Sequence, residues 1–184
     1  MKQKNNRIFL KLKNNHGLTM VEMLCAVLIL LLVSQGMAAG VALANRQYEK
    51  SIQTSEAQEL YGTLRTILSN ELRYTTDVTL QPGSNQVGSF FSRTYAIKNA
   101  ETSLVALDEN GEECSYGELA LGNNGSYNRL LGSASYPHRL TAKASVQYQE
   151  TDQIFTVNLI IAIENEPCIE ESFQIRAMND VKVH

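Results

Sequence analysis

The chain has 184 residues, a formal net charge of −3 and a hydrophobic share of 43%. The length fits one ordinary domain with an appendage, and the hydrophobic share excludes a chain that is disordered throughout. Three cysteines are too few for a dense disulfide framework or for a zinc site with four cysteine ligands. The acidic balance excludes a broadly basic nucleic-acid-binding surface.

Charge is divided along the chain into three zones. Residues 1–17 contain five Lys or Arg side chains and no acid, whereas residues 18–45 contain one charged side chain, Glu22. Residues 46–184 contain 18 acids and 11 bases. Because basic flanks stay on the cytoplasmic side of a membrane, this pattern predicts one span with a cytoplasmic N-terminus and an extracytoplasmic C-terminal body.

The middle zone is apolar enough to enter a bilayer. From Met23 to Ala44 the only clearly polar side chains are Ser34 and Gln35. As a helix this stretch rises about 30 Å, the thickness of a bilayer core. A cleaved secretory signal peptide, with its cleavage site near residues 38–44, and a plain uncleaved anchor remain alternatives.

Glu22 argues against both alternatives. It stands at the entry to the apolar stretch, where a carboxylate costs about 2.5–3.5 kcal/mol if it moves toward the bilayer centre. A simple anchor has no use for such a residue. A helix that packs beside another helix in lipid does, because the carboxylate can find a partner there.

The junction between the first two zones resembles a known processing motif. Residues 17–22, GLTMVE, follow a basic leader and precede an apolar helix. They are similar to the type IV prepilin motif, commonly written G-F-T-L-x-E. The sequence departs from it at Leu18 and Met20, where Phe and Leu are usual, and both replacements are apolar. The resemblance covers about residues 1–50, and the rest of the chain resembles nothing specific.

The resemblance implies a processing pathway. A prepilin peptidase would cut between Gly17 and Leu18, and the new amino terminus at Leu18 would be N-methylated. Glu22 would then pair with the amino terminus of a neighbouring subunit. Physical chemistry supports this role, because a cationic amine at the start of a helix in lipid needs a nearby opposite charge.

The resemblance also implies a function. The chain would be a structural subunit, a minor pilin or a pseudopilin, of a type IV pilus, a competence pilus or a type II secretion pseudopilus. Its partners would be the prepilin peptidase, other pilin or pseudopilin subunits, an inner-membrane assembly platform with its ATPase, and membrane lipid. It would begin as a single-pass cytoplasmic membrane protein and end in a filament at the cell surface. The alternative is a membrane-anchored extracytoplasmic binding protein with an uncleaved signal-anchor.

Small and hydroxyl residues around the apolar segment suggest further roles. Gly17 frees the cut site from helical geometry and side-chain bulk, which a protease requires. Thr19 can cap the first turn of the helix. Gly36 and Gly40 form a G-x-x-x-G spacing that could let helices approach closely, although small residues are common in such segments.

These features predict an α+β fold in which a long N-terminal helix packs on a C-terminal antiparallel sheet. The expected segments are a leader (1–17), a transmembrane or filament-core helix (18–45), its amphipathic continuation (46–80) and a globular β domain (81–184). Apolar residues at three- and four-residue spacing form the stripe of the continuation. These are Tyr48, Ile52, Leu60, Leu64, Ile67, Leu68 and Leu72.

Beyond Pro82 the hydrophobic period changes toward two, which is typical of strands. Turn signals occur at residues 108–111 and 123–125, and residues 150–153 predict a hairpin turn. Residues 122–138 predict a surface excursion without a clear element. The predicted strands are Phe90–Ile97, Ser103–Leu107, Glu118–Leu121, Leu140–Gln149, Ile154–Ile163 and Ser172–Met178.

The sequence offers little for catalysis. After the expected cleavage the histidines are His138 and the terminal His184, and no hydrolase, phosphate-loop or metalloprotease motif is present. We therefore expect no enzyme activity, no cofactor, no metal and no general nucleic-acid binding. Cys114 and Cys168 could form a disulfide in an exported domain, and two separate thiols are the alternative.

Overall fold

The computed structural model describes residues 19–92, 100–123 and 125–184. Its first element is a helix of 54 residues, α1 (Met20–Arg73). The helix is uninterrupted because the first proline of the chain is Pro82, so every turn keeps its backbone donor. The predicted leader, together with Gly17 and Leu18, lies outside the described residues.

The chain folds as two compact units, Met1–Glu49 and Lys50–His184. The described part of the first unit is the N-terminal portion of α1, apart from Thr19, and its residues are exposed. The second unit contains the remainder of α1 and all the described strands. The hydrophobic core lies entirely in this second unit.

Ten strands follow α1 within the described residues. They form two sheets, and nearly every pairing is antiparallel, so the predicted α+β class with a C-terminal antiparallel sheet is confirmed at this level. The strands are β1 (Asp77–Leu80), β2 (Val87–Ser92), β3 (Ala100–Leu107), β4 (Glu113–Cys114), β5 (Glu118–Asn123), β6 (Ser126–Arg129), β7 (Leu140–Gln149), β8 (Ile154–Ile163), β9 (Glu166–Arg176) and β10 (Lys182–Val183).

The larger sheet has the order β10-β1-β2-β3-β5-β6, with β4 paired to β3. The β1–β10 pair is parallel, whereas the other pairs of this sheet are antiparallel. The second sheet has the order β7-β8-β9 and is antiparallel throughout. Isolated bridges between Gln86 and Gln147 and between Gly117 and Ala142 connect the two sheets.

The second portion of α1 supplies one wall of the core. Its buried apolar residues recur at helical spacing and are at most 8% exposed, and they are Ala57, Leu60, Tyr61, Leu64, Leu68 and Leu72. This confirms the C-terminal part of the predicted stripe. The N-terminal part is wrong at Tyr48, which is 69% exposed, and Ile52 is only half-buried. Ala57 is the first residue of α1 that is buried in the core shared with the strands.

The β7–β8 hairpin has the strand limits and the turn that the sequence predicts. The strands pair from Leu140 opposite Ile163 to Gln149 opposite Ile154, and residues 150–153 form the turn. One face of β8 is fully buried, because its alternate residues from Phe155 to Ile161 have no exposed surface. An alternating pattern of this strength fixes the register, since a slip of one residue would expose the whole face.

Other strand predictions differ from the structure. The predicted strand at residues 90–97 is β2, which ends at Ser92, and residues 93–99 lie outside the described residues. β9 begins at Glu166, six residues before the predicted start. The sequence did not predict this first half of the strand because its residues lack an apolar alternation. The predicted excursion at 122–138 contains β6 and two short 3₁₀ turns. The helical continuation ends at Arg73, and β1 occupies part of residues 74–80.

β1, β4, β6 and β10 were not predicted, and each has two to four residues. β1 and β10 hold each other through main-chain hydrogen bonds. The Lys182 N–H donates to the Thr76 carbonyl at 2.9 Å, and the His184 N–H donates to the Val78 carbonyl at 2.9 Å. Such pairing depends on backbone groups, so it leaves little trace in the side-chain pattern.

Gly117 lies at a crossing of the two sheets that has no room for a side chain. Its N–H donates to the Ala142 carbonyl at 3.0 Å and its carbonyl accepts from the Ala142 N–H at 2.8 Å. A Cβ atom at this position would lie 2.1 Å from the Leu107 carbonyl oxygen and 2.7 Å from the Cys114 Sγ. Glycine is therefore required here by a close backbone approach.

We expect Gly117→Ala to lower the free energy of unfolding by about 1–3 kcal/mol, because the added methyl group overpacks against backbone. Gly62→Ala is the matched control. Its added Cβ meets nothing within 4 Å, and alanine should stabilise this helical position by about 0.5–1 kcal/mol. Urea unfolding of the full chain in detergent, followed by circular dichroism, measures both. A Gly117→Ala protein as stable as the parent would contradict this account of the crossing.

Candidate functional site

The N-terminal portion of α1 presents an apolar surface that the described part of the chain does not cover. The large apolar side chains from Met20 to Leu43 are between 50% and 89% exposed. Such a surface is unfavourable in water, at about 25 cal/mol for each Å² that stays hydrated. By length and composition α1 can cross a membrane. One such helix followed by a folded C-terminal unit fits a single-pass membrane protein.

The start of α1 has the geometry of a capped helix. The Glu22 N–H donates to Thr19 Oγ1 at 3.3 Å and to the Thr19 carbonyl at 3.0 Å. The Met23 N–H also donates to the Thr19 carbonyl, at 3.2 Å. These contacts satisfy two of the donors at the start of the helix. Thr19 is therefore placed to act as the cap that the sequence suggests.

Glu22 is exposed in the first turn of α1. Within the described residues its carboxylate has no hydrogen-bond or ion-pair partner. Negative charge at a helix start is favourable, because the N-terminal end of the helix dipole is positive. In an apolar medium this effect alone leaves the carboxylate poorly compensated, so a partner from outside the described residues would be required.

Gly36 and Gly40 lie on the uncovered portion of α1. An added Cβ at either position would meet nothing within 4 Å, so the helix backbone is open to a neighbour there. Ser34 is already satisfied, because its hydroxyl donates to the Leu31 carbonyl at 2.9 Å. Cys25 is also exposed on this segment. The segment is thus an apolar surface with small residues near its middle and one carboxylate near its start.

The globular unit contains a large open cleft, with a volume of about 780 Å³. Two ion pairs stand in its walls. Arg129 Nε lies 2.9 Å from Glu118 Oε2, and Arg139 Nη1 lies 3.1 Å from Glu164 Oε1. Both arginines of this cleft therefore already have carboxylate partners.

Tyr136 also lines this cleft and is 8% exposed. Its hydroxyl oxygen accepts a hydrogen bond from the Leu119 N–H at 3.0 Å. Burial raises the pKa of Tyr136 to about 12, so the hydroxyl stays protonated at physiological pH. Tyr136 therefore acts as a structural link between its loop and β5.

The disulfide considered for Cys114 and Cys168 is not formed, and both are free thiols. The two residues belong to different sheets, Cys114 to β4 and Cys168 to β9. Each Sγ contacts carbonyl oxygens near its own strand: Cys114 contacts Tyr116 O at 3.1 Å, and Cys168 contacts Ile161 O at 3.2 Å. Burial raises the pKa of both thiols, which favours the unreactive protonated form.

Sequence reasoning gave no role to His138, which ties its loop to α1. His138 Nδ1 lies 2.6 Å from Glu56 Oε2. His138 and Arg139 have positive φ angles of 50° and 57°, which is unusual for non-glycine residues. The side chains of this pair contact Glu56 and Glu164, respectively. Two adjacent left-handed residues leave no pattern that a sequence could reveal.

Asp108 organises the acidic turn between β3 and β4. Its Oδ1 accepts hydrogen bonds from the Glu112 and Asn110 N–H groups, each at 2.8 Å. These bonds, that of Glu112 above all, lower the pKa of Asp108 from its usual value. The carboxylate is thus used by the turn itself. Within the described residues no cluster of His, Cys, Asp or Glu is arranged to hold a metal ion.

Comparison of this chain with models of protein families, with curated proteins and with solved structures finds no match.

The Asp108 turn predicts a pH-dependent stability. Because its pKa is lowered on folding, the carboxylate stabilises the fold at neutral pH, and this stabilisation is lost as the pH falls below about 3.9. Asp108→Asn should therefore be less stable than the parent at pH 7, and the difference between the two should be smaller at pH 3. Glu109→Gln, at an adjacent carboxylate, serves as the control and should show a smaller difference at pH 7. Urea unfolding at both pH values provides the measurement, and a pH-independent Asp108→Asn difference would contradict the assignment.

Proposed function

We propose that this chain is a subunit of the type IV pilin or pseudopilin kind, made as a membrane precursor and assembled through the N-terminal portion of α1. The observation that carries the proposal is the exposed apolar segment of α1, whose single carboxylate, Glu22, stands in the first turn of the helix. A basic leader and the sequence GLTMVE at residues 17–22 precede or begin this helix. Work of this kind is mechanical, and it requires no catalytic site in the globular unit.

The uncovered surface supports assembly more directly than it supports simple anchoring. An anchor needs only length and apolarity, and Glu22 improves neither of them while it adds a cost whenever it moves toward the bilayer centre. In an assembly, Glu22 gains a partner in the amino terminus of an adjacent subunit. Each carboxylate must then meet an amine, which sets the axial register between subunits. Gly36 and Gly40 would let a neighbouring helix approach the backbone closely.

The orientation follows from charge. The five basic residues of the leader would remain on the cytoplasmic side, and the C-terminal unit would be extracytoplasmic. The partners would be the prepilin peptidase, the assembly platform with its ATPase and other subunits of the filament. Adhesion, motility, DNA uptake and secretion are all served by machines of this kind.

The mass of the mature N-terminus tests the processing step. In cells that produce a prepilin peptidase, purified protein should begin at Leu18 and carry one additional methyl group. Gly17→Val should remain uncut, because side-chain bulk obstructs the extended backbone that a protease requires, while the control Gly36→Val should be processed normally. A chain that still begins at Met1 would support the uncleaved anchor instead. A start near residues 40–45 would indicate a secreted form.

Glu22→Ala tests the assembly step. Cleavage should persist, because the scissile bond is several residues away, while incorporation into filaments should fall at least about tenfold. The reason is that an unpaired amine left in lipid costs about 3–5 kcal/mol. Glu49→Ala, which removes an exposed acid beyond the apolar segment, is the matched control and should assemble normally. Quantitative blotting of sheared filaments against total cell protein measures both, and undiminished assembly of Glu22→Ala would remove this role.

A further inference from the structure

We propose that Arg46 and Tyr48 form a lipid anchor that fixes the depth of α1 in the bilayer. Their ligand is the phosphodiester and glycerol layer of a phospholipid surface, at the C-terminal end of the apolar segment. The inference requires only that α1 spans a membrane. It therefore applies to a filament precursor and to an uncleaved anchored protein alike.

The spacing of charges along α1 matches a bilayer. Glu22 and Arg46 are separated by 24 residues, and no charged residue stands between them. This separation corresponds to about 36 Å along a helix, compared with about 30 Å for the hydrocarbon core. Both charges can therefore reach headgroup layers at the same time, with a small surplus for tilt.

Arg46 has the donors that a phosphate would use. It is exposed, and within the described residues its guanidinium has no hydrogen bond, ion pair or ring contact. Glu49 follows three residues later on the same helix, yet the two side chains form no ion pair. A guanidinium presents a planar fork of N–H donors that fits phosphate oxygens in a bidentate manner. An arginine of this kind at the edge of an apolar segment is well suited to bind a phospholipid headgroup.

Tyr48 is the aromatic part of the anchor. It is 69% exposed, compared with 45% for Tyr74 and 41% for Tyr127, which are exposed tyrosines of the globular unit. A tyrosine side chain has an apolar ring and a polar hydroxyl, and it favours the boundary between hydrocarbon and water. Residues two apart on a helix do not face each other. Arg46 and Tyr48 therefore contact the headgroup layer on two sides of α1.

The anchor has a consequence for Glu22. If Arg46 is held in one headgroup layer, the length of the helix keeps Glu22 at the level of the other layer. The carboxylate then stays out of the hydrocarbon until it finds a partner. The depth of the helix, set at its C-terminal end, would thus determine the level at which Glu22 is presented.

The absence of tryptophan from the sequence allows a direct test. Tyr48→Trp provides a single reporter in the full chain, which is reconstituted into vesicles of phosphatidylcholine and phosphatidylglycerol. Lipids brominated near the start or near the end of the acyl chain quench shallow or deep tryptophans, respectively. Tyr48→Trp should be quenched mainly by the shallow bromines, and Val33→Trp, near the middle of the apolar segment, mainly by the deep ones. The proposal would be overturned if neither brominated lipid quenched the tryptophan emission of Tyr48→Trp. It would also be overturned if the deep bromines did not quench the emission of Val33→Trp.

The contribution of Arg46 is tested in the same reporter. When Arg46→Gln is added to the Tyr48→Trp protein, quenching of the tryptophan should shift toward the deep bromines, because the charge that holds this end of the segment at the surface is removed. Arg46→Lys keeps the charge and should retain the shallow position. An unchanged position in Arg46→Gln would refute the anchoring role of Arg46. These results are independent of the mass of the mature N-terminus, so failure of the anchor and failure of the filament proposal can be told apart.

Discussion

The structure depends on one helix that has two different apolar surfaces, of which the described part of the chain covers only the second. From Ala57 onward α1 buries a stripe of residues in the core that it shares with the strands, and Leu64, Leu68 and Leu72 have no exposed surface. Each such leucine contributes about 1.5–3 kcal/mol through burial. In the N-terminal portion of α1 the side chains are at least as apolar as those of the buried stripe, yet the described part of the chain does not cover them. The uncovered surface must therefore find its apolar environment elsewhere, in lipid or in other helices.

The sheets complete the core through a few specific contacts. The β7–β8 hairpin supplies the most regular buried face, and β9 extends it as a third strand. Gly117 lets β7 approach the larger sheet closely, because its main chain bonds directly to Ala142. The β1–β10 pair brings the C-terminal residues beside the strand that follows α1. Main-chain contacts between residues that are distant in sequence thus complete the core around the buried stripe of α1.

Charged groups organise turns and loops of the globular unit more than they form a reactive centre. Asp108 closes its own turn, His138 links a loop to Glu56, and Arg139 links that loop to the β8–β9 turn at Glu164. These contacts are largely solvated, so each contributes modestly to stability. The proposed work of the protein lies in the apolar segment of α1.

The sequence by itself determined the apolar segment, the position of Glu22, the continuity of α1 and the limits of β7 and β8. These features follow from local composition and from strong periodicity, which hold whatever the rest of the chain does. Only the tertiary structure decided that Tyr48 is exposed, that Cys114 and Cys168 are free thiols on different sheets, and that β1 pairs with β10. Burial of a helical position depends on whether a distant strand reaches it, and short strands are held by main-chain bonds that leave no side-chain signal. For the same reason Gly117 could be recognised as a contact between sheets only after both sheets were in place.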